Sequence, residues 1–423
     1  MAGSGTDDCR KDIRSFYEKH PYPAPPKNLD DRLKLYTDPD RRRVIFHLLW
    51  PGAALADRRR ILVAGCGTSQ AAAIALREPG AEVVGIDISS TSLGHTRKLS
   101  DAYGLTNLAL HQLALDRVED LGQSFDQIVC TGVLHHLPNP DRGLKALRAV
   151  LAAGGAMQLM VYALYGRSGI YMLQQYCRLL GLGTSNKDLH ELRDTLNALP
   201  ASHPLAAVMH SAKDFQQPDA LADALLHPQD RAYSVPQLFD WLERCGIRFG
   251  RWFDQAPYLP QCGTLAATSH ATRLGRLPAS DQHAAVELFR GTITKHHFIA
   301  YRDDAPADWP WHPFEAGHSS RRRHRWGGLI PIRIPWTQSV RNQRLPHGAV
   351  AVLINRGHHC PDLFLPINKQ EELLHAAIDG KQNLTEIIDG HAEIISENRA
   401  LTFFRRLWQY DQIVFDASKL HAF

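Results

Sequence analysis

The chain has 423 residues, 44% of them hydrophobic and 22% charged, with a formal net charge of +4. That composition is ordinary soluble protein, long enough for roughly two or three domains. No apolar run approaches the ~18 residues that span a bilayer. The first residues contain no apolar stretch of the signal-peptide kind, so neither a membrane partner nor secretion is expected. The arginine clusters at 41–43 and 321–325 are short and read as solvated loops, so a nucleic-acid partner is not expected. Seven scattered cysteines without a C-x-x-C pair fit free thiols in a cytoplasmic protein. The 23 histidines include no H-E-x-x-H; His358-His359-Cys360 sits between Gly and Pro and reads as a turn, and no metal is expected.

The first informative element is Ile61-Leu62-Val63-Ala64-Gly65-Cys66-Gly67-Thr68-Ser69-Gln70, a β-branched run, a glycine turn and a helix start. A second apolar run, Val83-Val84-Gly85-Ile86, ends at Asp87, twenty residues past Gly67. A glycine turn followed by an acid at that distance is the layout of a nucleoside pocket: bare backbone approaches the ligand and the carboxylate accepts from ribose hydroxyls. Gln70 stands where the third glycine of a dinucleotide site belongs, and no P-loop lysine follows.

Further along, 89–102 reads as helix, and 108–113 and 125–130 as third and fourth strands. Helix 141–151 carries Leu144, Leu147, Val150 and Leu151 on one face, with Gly154-Gly155 expected as its C-cap. A fifth strand is expected at 156–162, then a long amphipathic helical stretch over 165–231. Ser234 caps a helix with Pro236 near its start and a stripe of Val235, Leu238, Phe239 and Leu242; Gly246 stops it. Strands six and seven are expected at 247–253 and 297–301, with a helix at 281–289 between them. This alternation predicts a parallel sheet covered on both faces.

From Asp304 the composition changes. Pro306, Trp309, Pro310, Trp311 and Pro313, then Pro331, Pro335 and Pro346, read as an extended linker over 305–346. Within 347–423, strands at 349–354 and 363–367 form a hairpin, and Asn368 with Glu371 forms a capping box. A helix with Leu373, Leu374, Ala377 and Ile378 follows, then a short one from Thr385. A third carries Leu401, Phe404, Leu407 and Trp408, ahead of a strand at Ile413-Val414-Phe415.

The glycine turn resembles motif I of the class I S-adenosylmethionine-dependent methyltransferases, although Ser69 replaces the family's usual glycine. Asp87, the Val133-Leu134-His135-His136-Leu137 run before Pro138, and Gly154-Gly155 occur in that family's order, so the resemblance covers 55–165 and, more loosely, 230–302. It implies an α/β fold: a seven-stranded, mostly parallel Rossmann-like methyltransferase sheet with an antiparallel last strand and helical lid insertions. It implies S-adenosyl-L-methionine as cofactor and S-adenosyl-L-homocysteine as product. The expected organisation is a methyltransferase domain over 1–304, with an N-terminal lid at 10–50 and the insertion at 165–231. The tail at 347–423 is similar in pattern to small winged-helix modules, including the peptide-binding PqqD type. Its expected roles are packing or dimerisation, or peptide contact. All seven expected strands precede 304, so a fragment ending there is expected to fold and still bind cofactor.

Carried over from the family, Ala64, Gly65, Cys66, Gly67 and Gln70 form the cofactor turn, with Gly65 and Gly67 against the methionine portion. Asp87 binds the ribose and Ile88 packs on adenine. Gln112, Leu113 and Ala114 line the adenine edge, where Leu113-Ala114 departs from the family's frequent acid. Thr131 and Gly132 sit beside the methionine portion. His135 is a candidate proton acceptor or a packing residue, and His136 either caps its turn or lines the substrate site. Tyr17 and Tyr22, on an arm that in related enzymes covers the cofactor, either contact cofactor or substrate or only anchor the arm. Tyr162, Tyr165 and Arg167, at the carboxyl edge of the fifth strand, are pocket or packing residues, and Tyr17 and Tyr165 stand beside His135 as the catalytic candidates. The acceptor expected is a small molecule with an O, N, S or C nucleophile. The alternatives are a peptide or protein acceptor recognised through the tail, or a non-catalytic cofactor-binding protein.

Overall fold

The computed structural model describes residues 4–211, 217–305, 313–314, 326–341 and 344–420. Pro306, Trp309, Pro310, Trp311 and the 321–325 basic cluster lie outside them. The fold is α/β. Two compact units form, interleaved in sequence: Met1–Tyr36, Asp57–Phe249 and Arg290–Ala305 make the first, and Thr37–Ala56, Gly250–Phe289 and Pro306–Phe423 the second.

The first unit is built on a mostly parallel sheet. Its strands are β1 (Arg60–Ala64), β2 (Glu82–Asp87), β3 (Leu108–Gln112), β4 (Phe125–Thr131), β5 (Leu151–Ala163), β6 (Ala232–Tyr233), β7 (Ile247–Trp252, whose residues 250–252 already belong to the second unit) and β8 (Lys295–Arg302). Seven run in the order β3-β2-β1-β4-β5-β8-β7, and the two-residue β6 pairs with β5 as an eighth. β1, β2, β4 and β5 pair in parallel and β8 runs antiparallel to β5. The central strand β1 is buried at four of its five positions, as a strand covered on both faces must be. The order reverses between β1 and β4, and in open α/β sheets ligands bind at the carboxyl ends of the strands at such a switch point.

Two details differ from the sequence expectation. The helix Pro140–Val150 ends at Leu151, which turns extended (φ −77°, ψ 127°), so Gly154-Gly155 is not its C-cap. Both glycines lie inside β5, beside the register shift between Phe125 and Gln127. A Cβ on Gly155 would stand 2.9 Å from the Asp126 carbonyl oxygen, and this close approach is what requires glycine. In the helix Val235–Arg244, which carries a Ser234/Gln237 capping box, Trp241 is buried while Phe239 is only half-buried.

The 165–231 stretch folds into four helices, Ser168–Leu179, Asn186–Leu196, Pro204–Ser211 and Pro218–Leu225. Leu173, Leu189, Leu192, Leu221 and Leu225 meet there around Phe16 of the N-terminal helix Ser4–Lys19. The arm and the insertion therefore share one apolar core.

In the second unit, the stretch expected as a linker supplies β9 (Ile330–Arg333) and β10 (Thr337–Val340). β10, β11 (Ala351–Asn355) and β12 (Phe364–Ile367) form an antiparallel sheet, and β13 (Ile413–Asp416) pairs antiparallel with β9. The Asn368/Glu371 capping box starts the helix Lys369–Ala376, and Leu384–Asp389 and Glu397–Gln409 follow. Phe403, Phe404, Leu407 and Phe415 pack with Ala256 and Cys262 in its core. The helix Pro39–Leu49 joins this unit: Arg43 and His47 reach Asp416, and the Ala417 N–H donates to the Pro51 carbonyl. Among the described residues no helix is long and apolar enough to cross a membrane.

Candidate active site

The carboxyl ends of β1, β2, β3 and β4 converge on one loop cluster. Ala64 closes β1, and the Gly65 and Cys66 N–H groups both donate to the Ile86 carbonyl of β2 (2.8 and 2.9 Å). Gly65 and Gly67 have φ of +70° and +55°. A Cβ on Gly65 would lie 2.3 Å from Val133 Cγ2, so this turn admits no side chain and presents bare backbone. Asp87 accepts the Gly67 N–H (2.8 Å) and the Ser89 N–H (2.9 Å), one on each carboxylate oxygen. A carboxylate has about four acceptor positions, so it keeps lone pairs for a diol. Burial pushes the Asp87 pKa up, and the backbone donors of Ser89, Gly67 and Ile88 work against that rise.

The remaining expected cofactor residues lie in the same cluster. The Gln70 amide donates to Thr131 Oγ1 (2.7 Å), and Gln112 donates to the Ile88 carbonyl (3.1 Å). The Leu113 N–H donates to the Asp87 carbonyl, Ala114 follows as the start of a short turn, and Gly132 (φ +79°) donates to the Met160 carbonyl. Over the turn runs the N-terminal arm. The Thr68 hydroxyl donates to the Pro23 carbonyl (2.8 Å), and a Cβ on Gly67 would come within 3.6 Å of the Tyr22 carbonyl oxygen. The Glu18 carboxylate accepts the N–H and hydroxyl groups of Ser90 and Thr91 at the start of the helix Ser90–Ala102. An anion at a helix N-terminus is the favourable end of the dipole.

Beside this cluster lies a buried polar group that the arm and the insertion build together. The Tyr17 hydroxyl donates to Asp223 Oδ1 (3.1 Å), and the Tyr162 hydroxyl, near the end of β5, donates to Asp223 Oδ2 (3.5 Å). One turn earlier on the same helix, Asp219 pairs with His20 (3.0 Å), so the i, i+3 pair on the arm meets an i, i+4 pair on the insertion. Burial raises the Asp223 carboxyl to about 7. Burial and the neighbouring Asp223 keep the Tyr17 hydroxyl protonated well above its ordinary range, and Tyr162 likewise.

His135 is fully buried, its ring 3.9 Å from that of Tyr162 and 4.2 Å from that of His136. Neither of its ring nitrogens has a hydrogen-bond partner. Burial, then the neighbouring His136, holds its pKa well below the ordinary histidine value, so it is a weak proton acceptor. His136 donates from Nδ1 to the Gln229 carbonyl (2.8 Å) and its ring lies 4.0 Å from that of His227, tilted by 37°; burial lowers its pKa to about 4. The Arg167 guanidinium lies 3.4 Å from the centre of the Tyr162 ring and pairs with Asp230 (3.4 Å). Tyr165 starts the one-turn helix Tyr165–Arg167 and is 38% exposed. His358 lies elsewhere in the fold, bonded to Asp411 (3.0 Å).

Sequence reasoning named Tyr17, His135, His136, Tyr162 and Arg167 but missed Asp223, His227 and Asp230. A signal existed for Asp223: in the otherwise apolar helix Pro218–Leu225, an acid four residues past Asp219 faces the core.

Residues 62–157 match the model of the family described as a methyltransferase domain. The uncharacterized protein syc1184_c of Synechococcus sp. is 31% identical over 312 residues, 72% of this chain and 74% of that protein. The ubiquinone biosynthesis O-methyltransferase of Paracidovorax citrulli is 30% identical over 105 residues, 25% of this chain and 44% of that enzyme. Among solved structures, PKMT2 from Rickettsia typhi shares the fold at 14% identity, covering 90% of this chain and 75% of its own (TM-score 0.59). Its complex with AdoHcy, also 14% identical, superposes over 88% and 73% (TM-score 0.56). The chain belongs to the same family as the Synechococcus protein, and it carries over residues 62–157 a methyltransferase domain whose cofactor is S-adenosyl-L-methionine.

Proposed function

We propose that the protein methylates a protic nucleophile, a hydroxyl above all, on a small molecule, and that Asp223 takes the acceptor's proton. Ala64, Gly65, Cys66, Gly67, Gln70, Asp87, Ile88, Gln112, Leu113, Ala114, Thr131 and Gly132 would hold the cofactor. The bare turn at Gly65 and the spare lone pairs of Asp87 fit a ligand with a ribose and no phosphate. Bound there, S-adenosyl-L-methionine supplies a methyl group on an electron-poor sulfonium.

The observation that carries this reading is the Asp223 carboxyl between the Tyr17 and Tyr162 hydroxyls. A general base works best with a pKa near the operating pH, and burial sets Asp223 at about 7. Burial pushes the pKa of His135, the proton acceptor expected from sequence, down from the ordinary histidine value, which favours Asp223 as the base and gives His135 a place in the wall of the acceptor site with His136, Tyr162 and Arg167. Tyr17 and Tyr22 hold the arm over the reacting groups. The O-methyltransferase name of the matching relatives favours an oxygen acceptor. Incubation of the full chain with methyl-labelled cofactor and fractionated cell extract tests the proposal. Label in small molecules is expected. Label in protein would overturn it in favour of a polypeptide acceptor recognised through residues 347–423, and no label in any fraction in favour of a cofactor-binding protein.

A further inference from the structure

Four buried polar atoms around the acceptor group have no partner: Nδ1 and Nε2 of His135, Nε2 of His227 and Oδ1 of Asp230. Leaving one such atom unpaired costs about 1–3 kcal/mol, and a group of them in a folded interior points to a ligand that completes it. One donor atom each from His135, His136 and Asp230 lies within 4.8 Å of the other two, and the same holds for His136, Asp223 and His227.

The tautomers decide between the two sets. His136 faces the Gln229 carbonyl with Nδ1, so that nitrogen carries the proton and Nε2 keeps a free lone pair. A ring N–H held by a backbone carbonyl is the usual support of a metal-bound histidine. His227 is the reverse. Its Nδ1 accepts the Gln229 N–H (3.0 Å), so in the neutral ring Nε2 carries the proton and can donate but not ligate. Each Asp223 oxygen already accepts a tyrosine hydroxyl, so unlike Asp230 it has no unpartnered oxygen for an ion to complete. Asp230 has one oxygen fixed by Gln174 (2.8 Å) and Arg167 (3.4 Å), which leaves Oδ1 unpartnered on a side chain only 2% exposed.

We propose that His135, His136 and Asp230 bind a divalent transition-metal ion of the zinc class. Two neutral imidazoles and one carboxylate are donors such an ion accepts, and three protein ligands leave a position open for a substrate oxygen. Bonds of about 2.1 Å place tetrahedral ligands about 3.4 Å apart, so binding draws the set together by about 1.4 Å at most. That an ion binds does not depend on the acceptor chemistry proposed above; what it would do, polarising the acceptor hydroxyl whose proton passes to Asp223, does.

The test uses the full chain, stripped with a chelator and titrated with zinc or cobalt(II). Calorimetry is expected to give one zinc per chain, and cobalt(II) the visible absorption of a low-coordinate nitrogen–oxygen site. His135→Ala and Asp230→Asn should each weaken zinc binding by more than about 100-fold, since loss of even an outer partner of a ligand costs about 10–100-fold. His227→Ala should leave it within a few-fold. S-adenosyl-L-methionine affinity is measured on the same samples as the check on folding. Cofactor binding without zinc binding, or zinc binding that survives Asp230→Asn in a sample that still binds cofactor, overturns the metal site and leaves the methyltransferase reading intact. Zinc binding without transfer to any small molecule would instead break the acceptor reading alone.

Discussion

Replacing Glu18 by alanine removes the clasp between the N-terminal arm and the helix Ser90–Ala102. Its carboxylate takes two N–H and two hydroxyl groups at the first turn of Ser90–Ala102, at 2.5 to 3.0 Å. Burial works to raise its pKa, but those four donors bring it down from 4.5 to about 2. A drop of that size corresponds to about 3.4 kcal/mol in a closed site. Water around a carboxylate 27% exposed cuts this to about 1–2 kcal/mol, the range of a helix N-cap. The docked arm should therefore lose a factor of about 5–30 in population. Tyr17 is the next residue upstream, so cofactor affinity should fall by up to that factor, and amide exchange over 13–20 should speed up. The pH dependence has a fixed sign. The folded pKa is depressed, so the stabilisation is complete above about 4.5 and disappears as pH falls toward 2. The melting temperatures of wild type and Glu18→Ala should differ by a constant amount at neutral pH and converge in acid. Unchanged cofactor affinity together with unchanged exchange at pH 7 would refute the clasp.

Three other outcomes follow from the same geometry. Asp87→Ala removes a charge-assisted acceptor and should weaken cofactor binding by about 1.5–3 kcal/mol in calorimetry; unchanged affinity would take Asp87 out of the site. For Asp223, kcat should rise with pH through about 7 as the carboxyl ionises. Asp223→Asn should lower kcat by about 10²–10⁴-fold and abolish that limb, with cofactor affinity kept; a mutant that retains the limb would move the base elsewhere. A chain ending at Asp304 should be poorly soluble, because Ala256, Cys262 and the helix Pro39–Leu49 belong to a unit whose remaining core is Leu329 to Ala417. A monomeric, cofactor-binding fragment in sedimentation would show that these pieces are dispensable.

What could be read from sequence was local. The β1 turn, Asp87 and the capping residues Ser234 and Asn368 announce themselves because each acts through its immediate neighbours. Gly154-Gly155 misled because a glycine pair after a helix suits a C-cap as well as a close strand crossing, and only the Asp126 carbonyl decides. Asp223 and Asp230 draw their chemistry from Tyr17 and Arg167, 206 and 63 residues away, and no spacing rule spans such distances. The strands β9 and β10 were hidden by prolines, which edge and terminal strand positions tolerate.

The chain passes between its two units five times, at residues 36, 56, 249, 289 and 305. During synthesis, the segments Thr37–Ala56 and Gly250–Phe289 emerge long before β13 and the helix Glu397–Gln409 that complete their core. The helix Pro39–Leu49, which packs against β13, therefore waits for that late strand to be made. Contacts of such sequence separation form slowly, and their apolar surfaces are open to aggregation or to a chaperone in the interval. The nascent protein should accordingly be most vulnerable before β13 has emerged, when the nucleoside-binding sheet can already have formed and its companion cannot.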